Sequence, residues 1–89
     1  MKPIISHPTL TPNPAHKYAT LSWKSYTTKE ATLQLHNVWG RIVTCQKFLI
    51  NTGVNEITLD TSELEPNIYY VSVCDTDGTQ FIQQLIVKH

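Results

Sequence analysis

The sequence lacks most of the features that announce a chemistry. No apolar run approaches the ~20 residues that a membrane-spanning helix requires, so a soluble domain is expected with no membrane span. The opening Met1-Lys2-Pro3-Ile4-Ile5-Ser6 has no apolar leader core. If the chain is exported, its leader is expected upstream of these residues. Charge is scarce and balanced: 16% of residues are charged, and 7 Lys and Arg face 7 Asp and Glu. A chain that binds nucleic acid usually concentrates basic side chains to displace counterions, so no nucleic-acid partner is expected.

Cysteine is nearly absent. Cys45 and Cys74 stand 29 positions apart with no Cys-x-x-Cys pair. A domain with a real core does not need a bridge, and two partly buried thiols are the expected state. His7, His16, His36 and His89 show no ligand spacing, which argues against zinc and leaves no cofactor to expect. Asp75-Thr76-Asp77-Gly78 superficially resembles a calcium loop, but Gln84 stands where that loop needs Glu. Ser6-His7 is an adjacent pair in a proline-rich stretch, and no Gly-x-Ser-x-Gly elbow exists. No catalytic residue is expected, and the chain is not expected to be an enzyme.

What is present is alternation. The 89 residues suffice for one core, with 40% hydrophobic residues to fill it. Pro3, Pro8, Pro12 and Pro14 break any helix and mark residues 1–14 as an extended linker and lead strand, in which Thr9-Leu10-Thr11 is the piece able to pair. Residues 15–89 form the folded domain. There Ala19, Leu21 and Trp23 alternate with polar neighbours, as do Ala31, Leu33 and Leu35. A strand rich in β-branched residues runs from Arg41 to Leu49, and Asn55, Ile57 and Leu59 alternate after it. Tyr69, Val71 and Val73 follow, and then Phe81, Gln83, Leu85 and Val87 on one face of a last strand.

Turn signals separate these runs: Asn37-Val38-Trp39-Gly40, Asn51-Thr52-Gly53, Glu65-Pro66-Asn67, and a hairpin centred on Asp77-Gly78. The spacing predicts an all-β, immunoglobulin-like sandwich of about seven antiparallel strands. Trp23 belongs to the core by its register. Trp39 belongs at an exposed turn tip, either packed over the turn or touching a partner.

In order and spacing these elements resemble the type A C-terminal sorting domain of type IX secretion. That family opens on an apolar residue and Pro-Asn-Pro-Ala, matched by Leu10-Thr11-Pro12-Asn13-Pro14-Ala15. Its central hairpin, with an Asp-x-x-Gly turn, is matched by Leu33 to Val43 with Asn37 in place of Asp and Gly40 in its position. Gly53 and the alternation to Asp60 follow. Leu64-Glu65-Pro66-Asn67-Ile68-Tyr69 then stands for Leu, a turn, and Gly-x-Tyr, with Asn67 in the glycine position as the side chain most tolerant of left-handed backbone. Gln84-Leu85-Ile86-Val87-Lys88 closes the pattern.

The resemblance implies an address rather than a catalyst. Its expected partners are the type IX translocon, shuttle proteins and a sortase-like peptidase that cuts in or upstream of the proline-rich segment. Anionic lipopolysaccharide is the expected acceptor of the cargo, which passes through the periplasm to the cell surface or medium. The signal residues it implies are Pro12, Asn13, Pro14, Gly40, Gly53, Tyr69, Leu85, Ile86, Val87 and Lys88. A retained binding module for the translocon or lipopolysaccharide, or a fibronectin-like adhesion module using Trp39, is the alternative.

Overall fold

A strand that is polar at every second position can bury only one face, so alternating strands must pair into sheets and the sheets must cover each other. The computed structural model describes residues 8–89, apart from the side chains of Thr79 and Gln80. Pro3 and the Ser6-His7 pair lie outside the described residues. Seven strands follow in order: β1 (Thr9–Thr11), β2 (Tyr18–Ser25), β3 (Lys29–His36), β4 (Ile42–Ile50), β5 (Gly53–Asp60), β6 (Asn67–Asp75) and β7 (Gly78–Val87). They form a three-stranded sheet in the order β1-β2-β5 and a four-stranded sheet in the order β4-β3-β6-β7, with every strand pair antiparallel. The expected all-β sandwich is the fold of the chain. Its split differs from a constant-type immunoglobulin domain, because β4 pairs with β3 instead of β5.

The alternating side chains meet between the sheets. Leu21, Leu33, Val71, Val73 and Leu85 are fully buried there, joined by Leu35, Tyr69 and Val87. Trp23 is buried and packs edge-on against Phe48 and Phe81, with ring centres 5.9 Å and 5.5 Å away. The four-stranded sheet is wider than its partner. Thr44 and Gln46 sit opposite core residues Leu35 and Leu33 yet are exposed, so the smaller sheet does not reach over β4.

The register corrects the expectation for Cys45, which is exposed, not partly buried, because it pairs with Gln34 on the outer face of the edge strand, turned away from the core. Cys45 pairs with Gln34 and Cys74 with Thr32, so β3 runs between them. Two strand spacings of about 4.8 Å and an offset of two residues along β3 put them more than about 10 Å apart. A disulfide needs Cα atoms within about 7 Å, and the two cysteines are not bridged.

Two turns differ in detail from the sequence reading. The β6–β7 hairpin closes at the Asp75–Gly78 pair, so its loop is Thr76-Asp77 and not Asp77-Gly78. The Asp75 carboxylate accepts the Asp77 N–H at 2.7 Å and starts the turn one residue early, and Gly78 absorbs the positive φ of +114°. Lys29, at the start of β3, bridges Asp75 and Asp77 at 3.3 Å each, which raises its pKa above the ordinary lysine value. Asn67 does not take the left-handed backbone expected of it, since no residue other than glycine among those described has a positive φ. It is instead the first residue of β6, opposite Val87, and its side chain accepts the Ile68 N–H at 2.8 Å.

Tyr69 fastens the connection between the sheets. Its hydroxyl donates to the carbonyl of Glu65, four residues upstream, at 2.7 Å, which is the tyrosine corner of immunoglobulin-like sandwiches. Burial and the nearby Glu65 carboxylate raise its pKa. Tyr69→Phe keeps the ring and loses only this bond, so a cost of about 1 kcal/mol is expected. In a domain of this size that lowers Tm by roughly 4–8 °C, readable by calorimetry.

Candidate functional site

The prolines of the opening motif create a problem that Asn13 solves. Pro12 and Pro14 have no N–H, so the chain after β1 cannot continue as a regular pairing strand. The carboxamide of Asn13 has the shape of a peptide group, with one acceptor and one donor to offer in its place. Its oxygen accepts the Ile86 N–H at 2.9 Å, and its NH2 donates to the Gln84 carbonyl at 2.9 Å. Ala15 then takes over with its own backbone. Its N–H donates to the Ile86 carbonyl at 2.7 Å, and its carbonyl accepts the Lys88 N–H at 2.8 Å. Ala15 and Val87 form a parallel bridge, and the Ala15 side chain is fully buried.

Four hydrogen bonds thus clip residues 13–15 along the free edge of β7. The lead segment starts on the three-stranded sheet, where Leu10 pairs with Leu21, and ends on the four-stranded one. The partners lie 71 and 73 positions apart in sequence. One turn further, His16 and His89 join through their Nδ1 atoms at 2.8 Å, and Nε2 of His89 donates to the Leu64 carbonyl at 2.7 Å. The His89 Nδ1 then accepts, with His16 as donor, when both rings are neutral.

The residues implied as signal elements divide by position. Asn13, between Pro12 and Pro14, bonds to Ile86 at the clip and Lys88 bonds to Ala15, while Leu85 and Val87 are buried in the core. Tyr69 pairs with Leu85 on the neighbouring strand. Gly40 lies at the same end of the sandwich, in the β3–β4 turn, and takes a φ of +81°. In that turn the Asn37 side chain accepts the N–H groups of Trp39 and Arg41, both at 3.0 Å, so it makes the bond an aspartate would make. Gly53 is at the opposite end, with a φ of +105°, beside the buried Asn55 whose side chain closes the β4–β5 turn on Asn51. Ala15, His16, Gln84 and His89 complete the clip, although none of them is among the implied signal residues. No short-range signal in the sequence marks them as partners.

Electrostatics here are mild. The Ser62 hydroxyl and N–H donate to Asp60 at 2.6 Å and 3.0 Å, which holds its carboxyl below the usual carboxylate range. Among the described residues no group of three or more His, Cys, Asp or Glu side chains could hold a metal ion. No helix of the described residues is long and apolar enough to cross a membrane.

A β-sandwich whose lead segment is clipped to its last strand defines the class. Solved structures share the architecture. The chain is similar to part of β-glucosidase 3B from Thermotoga neapolitana in complex with glucose (TM-score 0.60, 12% identity), covering 96% of this chain and 16% of that one. It is also similar to part of a β-glucosidase variant from Listeria innocua in complex with laminaribiose (TM-score 0.52, 16% identity), covering 96% and 15%. The chain therefore spans about one sixth of these enzymes, and at such identities the likeness is one of fold. No curated protein matches the chain. Over residues 9–88 it matches the secretion system C-terminal sorting domain family, and it belongs to that family, the sorting signals of type IX secretion. The chain is thus a signal for export to the cell surface or the extracellular space, and it works by interacting with the secretion system.

Proposed function

We propose that this domain carries its cargo from the periplasm through the outer-membrane type IX translocon, aided by shuttle proteins, and is then cut off by a sortase-like peptidase that joins the cargo to anionic lipopolysaccharide. In this reading the domain itself performs no catalysis. The observation that supports it most is the clip. The family's opening motif and its closing strand, at opposite ends of the sequence, form one hydrogen-bonded structure that only the folded domain presents. The pairing of Thr9–Thr11 and the clip at residues 13–15 support a cut upstream of them, because a protease cleft takes unpaired chain.

The product of export tests this. A secretory leader, a fluorescent reporter and this chain are joined and expressed in a strain with a working type IX system. The surface-bound reporter is expected to lack the domain by mass and to migrate as a ladder of polysaccharide-linked species. A surface reporter that retains the intact domain would instead support a retained binding module.

A further inference from the structure

The outer face of the four-stranded sheet is more apolar than a face turned to water needs to be. Directly opposed residues in antiparallel strands share a face, so the registers define it. Ile68 opposes Ile86, Tyr70 opposes both His36 and Gln84, and Ile82 opposes Ser72. At the β-bulge beside His36, Ile42 joins the same face from β4. All of these large apolar side chains are exposed, Ile82 by 61% and Ile42 by 51%. Trp39, 81% exposed, stands at the tip of the adjoining β3–β4 turn. Scattered exposed apolar residues are ordinary, but a contiguous patch of this kind marks a contact surface.

The charges around the patch choose its occupant. β4 and β7 contain no Asp or Glu, and β6 has only its last residue, Asp75, which pairs with Lys29 at the far end of the sheet. Arg41 precedes β4 at one lateral edge, and Lys88 follows β7 at the other. The carboxylates at this end, Asp60, Glu63 and Glu65, belong to the end of β5 and the connection that leaves the smaller sheet, and Glu30 is at the far end of β3. An anionic membrane surface is read by clusters of roughly 4–8 basic residues. Here there are Arg41 and Lys88, with Lys47 further up β4, in a chain of zero net charge. Two point charges around a flat apolar centre suit a protein surface, which can place single carboxylates opposite each.

We propose that this face, from Trp39 and Ile42 across Tyr70 to Ile86, is a docking surface for a protein of the secretion system whose contact patch is apolar and rimmed by carboxylates. The proposal rests on the sorting reading. It adds a second element to the signal, separate from the clip: side chains on the outer face of the sheet.

The test uses the leader–reporter fusion with two sets of changes. Ile68→Thr, Tyr70→Thr and Ile86→Thr together keep strand-forming side chains and leave the core alone. Arg41→Glu with Lys88→Glu reverses the rim. Export is expected to fall at least tenfold in each, while the melting temperature of the purified domain stays within a few degrees of the parent. A photo-cross-linking residue at position 70 is expected to trap one translocon-dependent adduct, which the Arg41→Glu, Lys88→Glu pair abolishes. Normal export of either folded variant overturns the proposal. So does binding of the purified domain to vesicles of anionic lipid that the apolar triple variant loses, because the face would then read a membrane. Failure of the unsubstituted fusion to export would count against the sorting reading instead.

Discussion

Replacing Asn13 by aspartate is expected to unfasten the lead segment from β7 at neutral pH. The substitution keeps the size and one oxygen of the side chain, so the Ile86 N–H retains its acceptor. The other atom changes from a donor into an anionic oxygen 2.9 Å from the Gln84 carbonyl. Two acceptors that face each other at that distance repel. The site is exposed, so the groups can turn to water, and the loss is that of one ordinary hydrogen bond, about 0.5–1.5 kcal/mol. Asn13→Ala gives up both bonds and should cost at least as much as aspartate, which keeps the one to Ile86. The diagnostic is the fall of both variants below the parent, read as Tm, with hydrogen exchange at the Ile86 amide quickened most in the alanine variant. Acid should narrow the gap between parent and aspartate variant, because a protonated carboxyl can donate to Gln84 as the carboxamide does. Equal stability of all three proteins at neutral pH would mean that the clip contributes nothing.

Removing Ile86 to His89 is expected to have the largest effect of any short deletion. It takes away three of the four backbone groups that residues 84–88 give to the clip, the buried Val87, and the His89 link to His16 and Leu64. It also uncovers Ala15 and the end of β6 that faces Val87. Deleting a buried aliphatic side chain alone costs about 2–5 kcal/mol when replaced by alanine. A domain of this length has about 4–13 kcal/mol in total. The truncated domain should therefore be largely unfolded or close to it, and its fusion should not leave the cell. Export of a folded truncated fusion at the parental level would separate the signal from the last strand altogether.

The strands are legible because each side chain that reaches the core obeys a period of two. Ala19, Leu21 and Trp23, or Tyr69, Val71 and Val73, declare both strand and inward face, and the structure buries all six. The same local logic places Trp39 at an exposed tip. Where it fails, the deciding contact is elsewhere. Ile42 to Gln46 does not alternate cleanly and its register shifts at the bulge beside His36, so the outward direction of Cys45 is not legible. Asn67 stands in a glycine position of the family pattern, but pairing with Val87 holds its backbone extended. The corner made by Tyr69 has a usable signal in Leu64-x-Pro66-x-x-Tyr69. The clip has none, because Asn13 and Ile86 are brought together only when both sheets have formed. The family resemblance points to both ends of the signal, and the fold supplies the physical reason that they belong together.

The most direct test of the account is whether the domain alone is a sufficient address. The leader–reporter fusion, with no other part of a natural cargo, would be followed in a strain with the type IX translocon and in one from which it has been deleted. Reporter is expected on the surface or in the medium of the first strain and confined to the periplasm of the second. Reporter held in the periplasm of both, with the domain shown to be folded, would contradict it.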